Sequence, residues 1–368
     1  MAQKILVNAL HTQTGGGLVY LNRILPYLAS EKDFEVILLC QEVYKERLNI
    51  PENVKVEAVN IPCSFAYVHF WEQCVLPFKA CKMGAKLTFN IANYAPIFAP
   101  KPVVFMTNNP EVRHYAPLKW QVYWHVLIWL TRLSVWVSPL SLSNGEYLKK
   151  VYLGGVFKPL QKKIRRTPSA CDYAGGKSKK RQEHQLFTVG DFYAQKDYPT
   201  LIYMVAELKK RFKNIELIIV GRFVHADVEA EVKSTIAKLR LEDNITLKGV
   251  VPHDEVLDLY AKSAVYVSAS DAETYPLTLL ESLKTGTPAV VKDYAFNREV
   301  AGDDAALYAP VSKGCRENGK AFAAQVTTLL EDASRYKALQ KAAEEKAAHS
   351  SWEATARAVI KALKEVLS

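Results

Sequence analysis

The sequence predicts an α/β protein built from two doubly wound parallel sheets, and three observations carry that reading. Short β-branched and aromatic runs alternate with amphipathic stretches along both halves of the chain, the order that generates strand–helix–strand units. Glycine- or proline-bearing loops follow several of these runs and open helices, as at Gly15 to Gly17 and at Pro276. The 368 residues, 49% apolar and 23% charged, have ordinary globular composition and suffice for two cores, which excludes a disordered chain.

In the first half, residues 4–10 read as a strand, and Gly15, Gly16 and Gly17 open a helix with apolar positions at Leu18, Leu21, Ile24, Leu25 and Leu28. Residues 35–40 form the next strand, and 102–107 and 135–142 are expected to continue the sheet. The second half is cleaner, with strands at 185–189, 215–220, 244–248, 264–268 and 288–291 separated by amphipathic helices. Pro159, Pro168, Gly175 and Gly176, lying among charges, place the connection between the halves at 154–183. From about residue 320 the chain is rich in Ala, Glu and Lys and reads as helical.

The most informative segment follows the 264–268 strand. Pro276 suits the first turn of a helix, Leu277, Leu279, Leu280 and Leu283 supply its apolar face, Gly286 ends it and Pro288 follows. Glu273 then sits in the loop at the carboxyl end of a strand. Glu281 lies about one and a half turns into the helix, roughly 7 Å deeper. A helix N-terminus at the end of a parallel strand is a seat for phosphate. Carboxylates flanking it can accept hydrogen bonds from the hydroxyls of a sugar and a ribose, so the pattern points to a nucleotide-sugar site. The structural alternative makes one glutamate a cap and the other a solvent-facing helix residue. Lys196, in a strand–helix loop, is either a phosphate contact or an ordinary loop lysine. The loop from Thr12 to Gly17 is either a ligand contact or a tight packing turn; it matches neither G-x-G-x-x-G nor a P-loop.

The net charge of +10 is local: from Lys149 to Arg181 there are eleven Lys or Arg against one Asp, and the rest of the chain balances. Such a run reads as a solvated linker or as a surface for anionic headgroups, each cation near a charged leaflet contributing about 1 kcal/mol. Nucleic acid is not expected, because aromatics are not interleaved with the charges. Just before it, Trp120, Tyr123, Trp124, Trp129 and Trp136 crowd a stretch too short and too interrupted by His125 and Arg132 to span a bilayer. It reads as a core helix, or as one dipping into a membrane interface. Six cysteines without a C-x-x-C pair suggest reduced thiols, and the N-terminus runs straight into a strand without a signal-peptide pattern, so a cytoplasmic protein is expected. No D-x-D stands in a strand-end loop, and Asp303-Asp304 reads as a turn; neither metal nor cofactor is predicted.

These residues carry a family likeness. The chain resembles the retaining glycosyltransferases of family 4, through the Glu-x7-Glu pair at Glu273 and Glu281 with Gly286-Thr-Pro288, Gly190 with Lys196, Ile219-Val-Gly221, and Lys248-Gly-Val-Val251 followed by Tyr260. Trp352-Glu353, Trp71-Glu-Gln73 with Leu76-Pro77, and Asn93-Tyr-Ala-Pro96 extend it over nearly the whole chain. The resemblance implies the GT-B fold of two facing Rossmann-like domains: an acceptor-binding domain at 1–165, a nucleotide-sugar-binding domain at 166–350, and a terminal helix at 351–368 that packs back on the first.

Carried over by position, it assigns Glu281 to the ribose and Glu273 to the donor sugar near its anomeric carbon. Lys196 meets the diphosphate, with Gly190 beside it. The backbone of Tyr275, Pro276 and Leu277 meets phosphate or sugar, Val250 and Val251 line the base, and Gly16 and Gly17 approach the donor from the other domain. Asn108, Asn109 and His114 fall on the acceptor side. Two departures stand out: Asp191 replaces the arginine that many relatives pair with the lysine, and Pro276, which has no N–H, stands where glycine is common. The implied reaction transfers sugar with retention through an oxocarbenium-like transition state to a lipid-linked or polysaccharide acceptor, as in O-antigen, capsule or lipopolysaccharide synthesis, at the inner face of a membrane. An epimerase of the same fold, or a degenerate protein that binds sugar nucleotide without turnover, is the alternative.

Overall fold

The computed structural model describes residues 2–12, 15–171 and 181–368. Gln13, Thr14, Asp172, Gly175, Gly176, Lys177, Lys179 and Lys180, which figure in the sequence reading, lie outside the described residues. The chain forms two compact units, one of residues 1–170 with 351–368 and one of 171–350.

The first unit holds a parallel sheet of seven strands: β1 (Gln3–Asn8), β2 (Phe34–Gln41), β3 (Lys55–Val59), β4 (Leu87–Asn90), β5 (Pro102–Met106), β6 (Ser141–Ser143) and β7 (Ile164–Arg166). Their order in space is β3-β2-β1-β4-β5-β6-β7. The second unit holds β8 (Gln182–Val189), β9 (Glu216–Val220), β10 (Ile245–Gly249), β11 (Ser263–Ser268), β12 (Ala289–Lys292) and β13 (Leu307–Ala309), ordered β10-β9-β8-β11-β12-β13. Both sheets therefore reverse direction in the middle, between β1 and β4 in one and between β8 and β11 in the other. At such switch points the loops leaving the carboxyl ends of adjacent strands splay apart and open a crevice.

The central strands are mostly apolar because helices cover both faces. In the first unit, Ile5, Val7, Val36, Leu38, Phe89 and Phe105 pack against Leu21, Ile24, Leu25 and Leu28 of the helix Gly15–Ser30. Trp352, Val359 and Leu363 of the last helix, Trp352–Leu367, complete that core. Lys101 Nζ donates to Val366 O at 2.7 Å, Arg165 pairs with Glu365, and Lys364 pairs with Glu31 and Asp33, which fastens the helix at several points.

Two expectations are corrected. The 135–142 strand does not form. The helix Leu118–Val137 runs through Val135, Trp136 and Val137, ends before Pro139, and leaves Ser141–Ser143 as a three-residue strand. A proline cannot donate to a ladder and biases its predecessor away from helix, so the boundary falls there. The units meet at 170/171, inside the 154–183 stretch, whose first part holds the 3-10 turn Gly155–Lys163 and β7 of the first unit. Pro276 precedes its helix, Leu277–Lys284, as the N-cap instead of lying in the first turn.

Candidate functional site

The loop after β8 and the loop after β11 are neighbours because their strands pair. The first carries Gly190 and the 3-10 turn Ala194–Lys196; the second carries Glu273 and leads into Leu277–Lys284. Their functional groups meet: Lys196 Nζ donates to Glu273 Oε1 at 2.5 Å, both side chains about one-fifth exposed. Gly190 lies against this lysine, since a Cβ there would sit 3.5 Å from Nζ. Its backbone is locked from below. Gly190 N donates to Val220 O, Tyr198 Oη donates to Gly190 O, and Gly221 passes so close that an added Cβ would meet Gly190 O at 2.1 Å. That contact explains the glycine of the Ile219-Val-Gly221 motif.

Two cations, one buried and one half-buried, hold these loops, and the sequence reading gave neither this role. Lys292, 1% exposed at the end of β12, bridges Asp197 Oδ2 and Asp271 Oδ1 at 2.6 Å each. Asp197 follows Lys196 and Asp271 precedes Glu273 by two residues, so one ammonium fixes both loops; Asp271 N also donates to Gln195 O at 2.7 Å. Arg181 donates to the carbonyls of Tyr260, Ser263, Thr285 and Gly286 and to Thr287 Oγ1. It thereby gathers the carbonyls that end the Glu281 helix and those that start β11. A cation that gathers acceptors from separate loops fixes geometry that either loop alone would not keep.

Glu281 sits partly buried along its helix, and burial pushes its carboxyl up to about 7, a hydrogen bond from Tyr260 offsetting part of the rise. The N-cap Pro276 offers no side-chain cap, so the first N–H groups of Leu277–Lys284 remain available to an anion. Tyr275, Leu277 and Val251 pack on the second unit's core, whereas Val250 is largely exposed in the loop beyond β10. Asp191 is turned to Arg222: Oδ2 accepts from Nε at 2.8 Å and Oδ1 from Arg222 N at 3.2 Å. Its carboxylate is thus neutralised in place, and Arg222 is committed to it.

The first unit has its own crevice at the β1/β4 switch point, a cavity of about 410 Å³ lined by His11, Gly15 to Gly17, His69, Asn93, Tyr94, Asn108 and Tyr123. A Cβ on Gly16 would meet nothing within 4 Å, and one on Gly17 would meet Thr107 Cγ2 only at 4.0 Å, so packing within the unit does not demand these glycines. Of the three acceptor-side residues read from the sequence, Asn108 lines the cavity. Asn109 is buried and caps the turn Pro110–Tyr115 through Glu111 N at 2.9 Å, and His114 is exposed on that turn.

Sequence reasoning overlooked the carboxylate bonded to His11 and Tyr94, two residues that line this cavity. Glu72, fully buried, accepts hydrogen bonds from Asn8 Nδ2 at 2.7 Å, from His11 Nε2 at 2.7 Å and from the Tyr94 hydroxyl. Burial alone would raise its carboxyl, but His11 and these hydrogen bonds outweigh that and hold it below its usual value. The signal was His69-x-x-Glu72 on one helix, Phe65–Cys74, a spacing that puts both side chains on one face. Among the described residues, His11, His69 and Glu72 are the set whose ligand atoms, within 4.8 Å of one another, could hold a metal ion.

The basic run and the aromatic helix also resolve. Only Leu127, Thr131, Ser134 and Val135 of Leu118–Val137 are buried, so the helix is not a core element. Trp129 and Trp136 are 59% and 63% exposed and, with Val126, Leu133, Val156 and Leu160, line an apolar groove of about 670 Å³. Lys150, Lys158 and Lys162 are exposed in the segments that follow this helix. The run is not uniformly free, because Lys149 pairs with Glu146, Lys163 donates to Trp136 O and Ser138 O, Arg165 pairs with Glu365, and Arg181 is the clamp described above. No described helix is long and apolar enough to cross a membrane.

Residues 174–346, most of the second unit, match the family described as Glycosyl transferases group 1. Alpha-monoglucosyldiacylglycerol synthase of Streptococcus pneumoniae is 24% identical over 121 residues, 33% of this chain and 27% of that protein. The lipopolysaccharide core biosynthesis mannosyltransferase LpsB of Rhizobium meliloti is 32% identical over 120 residues, 32% of this chain and 30% of that protein. The chain thus spans less than a third of the length of each. Among solved structures, Anabaena HepE in complex with UDP and glucose superposes with a TM-score of 0.74 at 15% identity, covering 98% of this chain and 99% of that one. The α/β architecture is the GT-B fold.

Proposed function

We propose that the protein is a glycosyltransferase of family 4 type that moves a sugar, with retained configuration, from a nucleoside-diphosphate sugar to a lipid-linked or cell-surface polysaccharide acceptor. The observation that carries this reading is the Lys196–Glu273 pair beside the uncapped start of the Glu281 helix. Lys196 and the helix N-terminus take the diphosphate, with Gly190 allowing close approach. Glu281 takes the ribose hydroxyls, Glu273 the donor sugar, Tyr275, Pro276 and Leu277 the phosphate–sugar junction, and Val250 and Val251 the base. Gly16 and Gly17 line the first unit's own cavity, where packing does not demand them, and so stay open to a ligand.

As the bond to the anomeric carbon breaks, negative charge grows on the departing diphosphate, and in this reading the Lys196 ammonium, paired with Glu273 before the donor binds, and the helix dipole stabilise it. That preorganised positive charge does the work a divalent cation would otherwise do, so the transfer is metal-independent in this reading. The matched family, the UDP and glucose bound to Anabaena HepE, and the glycolipid and lipopolysaccharide enzymes among the sequence relatives support the donor and acceptor classes.

The acceptor class also fits the surface. The apolar groove with Trp129 and Trp136, near Lys150, Lys158 and Lys162, suits peripheral contact with the anionic inner leaflet of the cell membrane.

Incubation with a panel of nucleotide sugars and lipid-extract acceptors tests the reading. Wild-type protein should release nucleoside diphosphate, and Glu281→Ala should abolish it. Release unaffected by that substitution would rule the site out, and tight donor binding with no product would favour a non-catalytic binder. Product anomers resolved by NMR decide retention against inversion.

A further inference from the structure

The donor reading leaves unused a cluster in the first unit whose hydrogen bonds do not close. Glu72 Oε2, His11 Nε2 and the Tyr94 hydroxyl touch one another in all three pairings. The carboxylate brings no hydrogen, the ring nitrogen one and the phenol one. With both hydrogens pointed at Glu72, His11 Nε2 and the Tyr94 oxygen face each other without one of their own. His69 adds a second defect. Its Nδ1 lies 3.0 Å from Phe65 O, one turn back in the helix Phe65–Cys74. A carbonyl only accepts, so Nδ1 carries the hydrogen and Nε2 the lone pair. That Nε2 is buried with no partner among the described residues, and a buried acceptor left without a donor needs a reason. One arrangement answers both defects. A histidine that gives its far N–H to a backbone carbonyl has the tautomer of a metal ligand, held in place. The other oxygen of Glu72 is held in a like manner, by Asn8 Nδ2 at 2.7 Å.

We infer that His11, His69 and Glu72 form a binding site for a divalent cation of the zinc class. A ring nitrogen of each histidine and a carboxylate oxygen of Glu72 lie within 4.8 Å of one another. Ligands about 2.0–2.2 Å from a tetrahedral zinc stand roughly 3.4 Å apart, so His11 and Glu72, now at 2.7 Å, need only part slightly. Two imidazole nitrogens and one carboxylate oxygen are donors that suit zinc, whereas magnesium and calcium call for oxygen. The cation takes the place of the hydrogen between His11 and Glu72 and gives the His69 lone pair a partner. Both histidines line the cavity of about 410 Å³, beside Asn93 and Asn108, so the remaining coordination position can take water or a ligand oxygen from that space. The ion ties the loop after β1 to the helix Phe65–Cys74 within the first unit. It plays no part in binding the donor diphosphate, and the site holds whether or not the chain transfers sugar.

The test titrates the full chain, stripped with EDTA and kept reduced, with zinc chloride in a calorimeter. One equivalent should bind and release hydrogen ions, seen as a heat that varies with the ionisation enthalpy of the buffer. The unfolding midpoint should rise with zinc concentration, and magnesium chloride should do neither. His11→Gln and His69→Gln should each weaken zinc binding by more than the about 10–100-fold that loss of an outer-shell partner costs, with unfolding midpoints near wild type when no metal is present. Cobalt chloride added to wild-type protein should give the visible absorption of a nitrogen and oxygen site without a thiolate charge-transfer band, which separates this site from the six cysteines whether or not the variants fold. No zinc binding by wild type, magnesium bound as tightly as zinc, a thiolate band with cobalt, or zinc affinity unchanged in both histidine variants would overturn the inference.

Discussion

Replacing Glu281 by Gln should make the ligand-free protein more stable at pH 8, with a gain that fades as the pH falls. Burial lifts the carboxyl from 4.5 to about 7, so the folded chain holds a proton that the unfolded chain has released between those values. The folded pKa is the higher one. The group's contribution to stability is therefore complete below about 4.5 and lost as the pH rises through about 7. At about 1.36 kcal/mol per unit the lift amounts to roughly 3 kcal/mol, and the partly open side of the carboxyl reduces that to about 2. Gln is neutral throughout and keeps the shape, so the variant should recover this energy at pH 8, about 4–8 °C in unfolding midpoint for a unit of this size. By pH 5 the folded glutamic acid is itself neutral, and the gain should shrink by roughly three-quarters. Thermal unfolding followed by near-ultraviolet circular dichroism at pH 5, 6, 7 and 8 measures it. A variant no more stable than wild type at pH 8, or equally stabilised at pH 5 and pH 8, would refute the reasoning. Nucleotide binding should fall in the same variant, the trade expected where a site keeps a charge for its ligand.

Other consequences are as direct. Lys292→Met removes the cation between Asp197 and Asp271 and should cost about 3–5 kcal/mol in urea unfolding; a loss under 1 kcal/mol would mean the bridge fixes neither loop. Lys196→Ala should weaken UDP binding by at least about tenfold in calorimetry, about 1.4 kcal/mol for one desolvated charge contact to phosphate, with no change in the first unit's unfolding. Gly221→Ala should destabilise the second unit by several kcal/mol, since its Cβ would meet Gly190 O at 2.1 Å; soluble, stable protein would contradict that close approach. Trp129→Ser with Trp136→Ser should abolish sedimentation with phosphatidylglycerol vesicles, whereas phosphatidylcholine vesicles should bind neither protein. Equal binding of wild type to both lipids would dismiss the electrostatic account.

What was legible in the sequence was local. The strand, loop, proline and glycine around Glu273 and Glu281 lie within about twenty residues, and propensity and punctuation order them without help from the rest of the chain. The supports were not legible because their partners are remote. Lys292 meets Asp197 across 95 residues, Arg181 reaches Gly286 across 105, and Glu72 finds His11 61 residues before it. Nothing in a lysine at the end of an apolar strand announces that it will be 1% exposed. The helix Leu118–Val137 misled for a related reason. Its tryptophans and valines are apolar enough for a core and β-prone enough for a strand, yet only Leu127, Thr131, Ser134 and Val135 are buried. Short strands such as Leu87–Asn90 escaped because four residues show no period.

The helix Trp352–Leu367 gives the order of synthesis a cost. Its side chains finish a core whose other residues end at Ala170, so a ribosome must make all 180 residues of the second unit before the first can close. At about 5–20 residues per second, that leaves Ile24, Phe89 and Phe105 without their last cover for roughly ten to forty seconds. The later unit, contiguous in the chain, is free to fold before the earlier one is sealed. Nascent protein of this kind should therefore lean on chaperones at its beginning rather than its end.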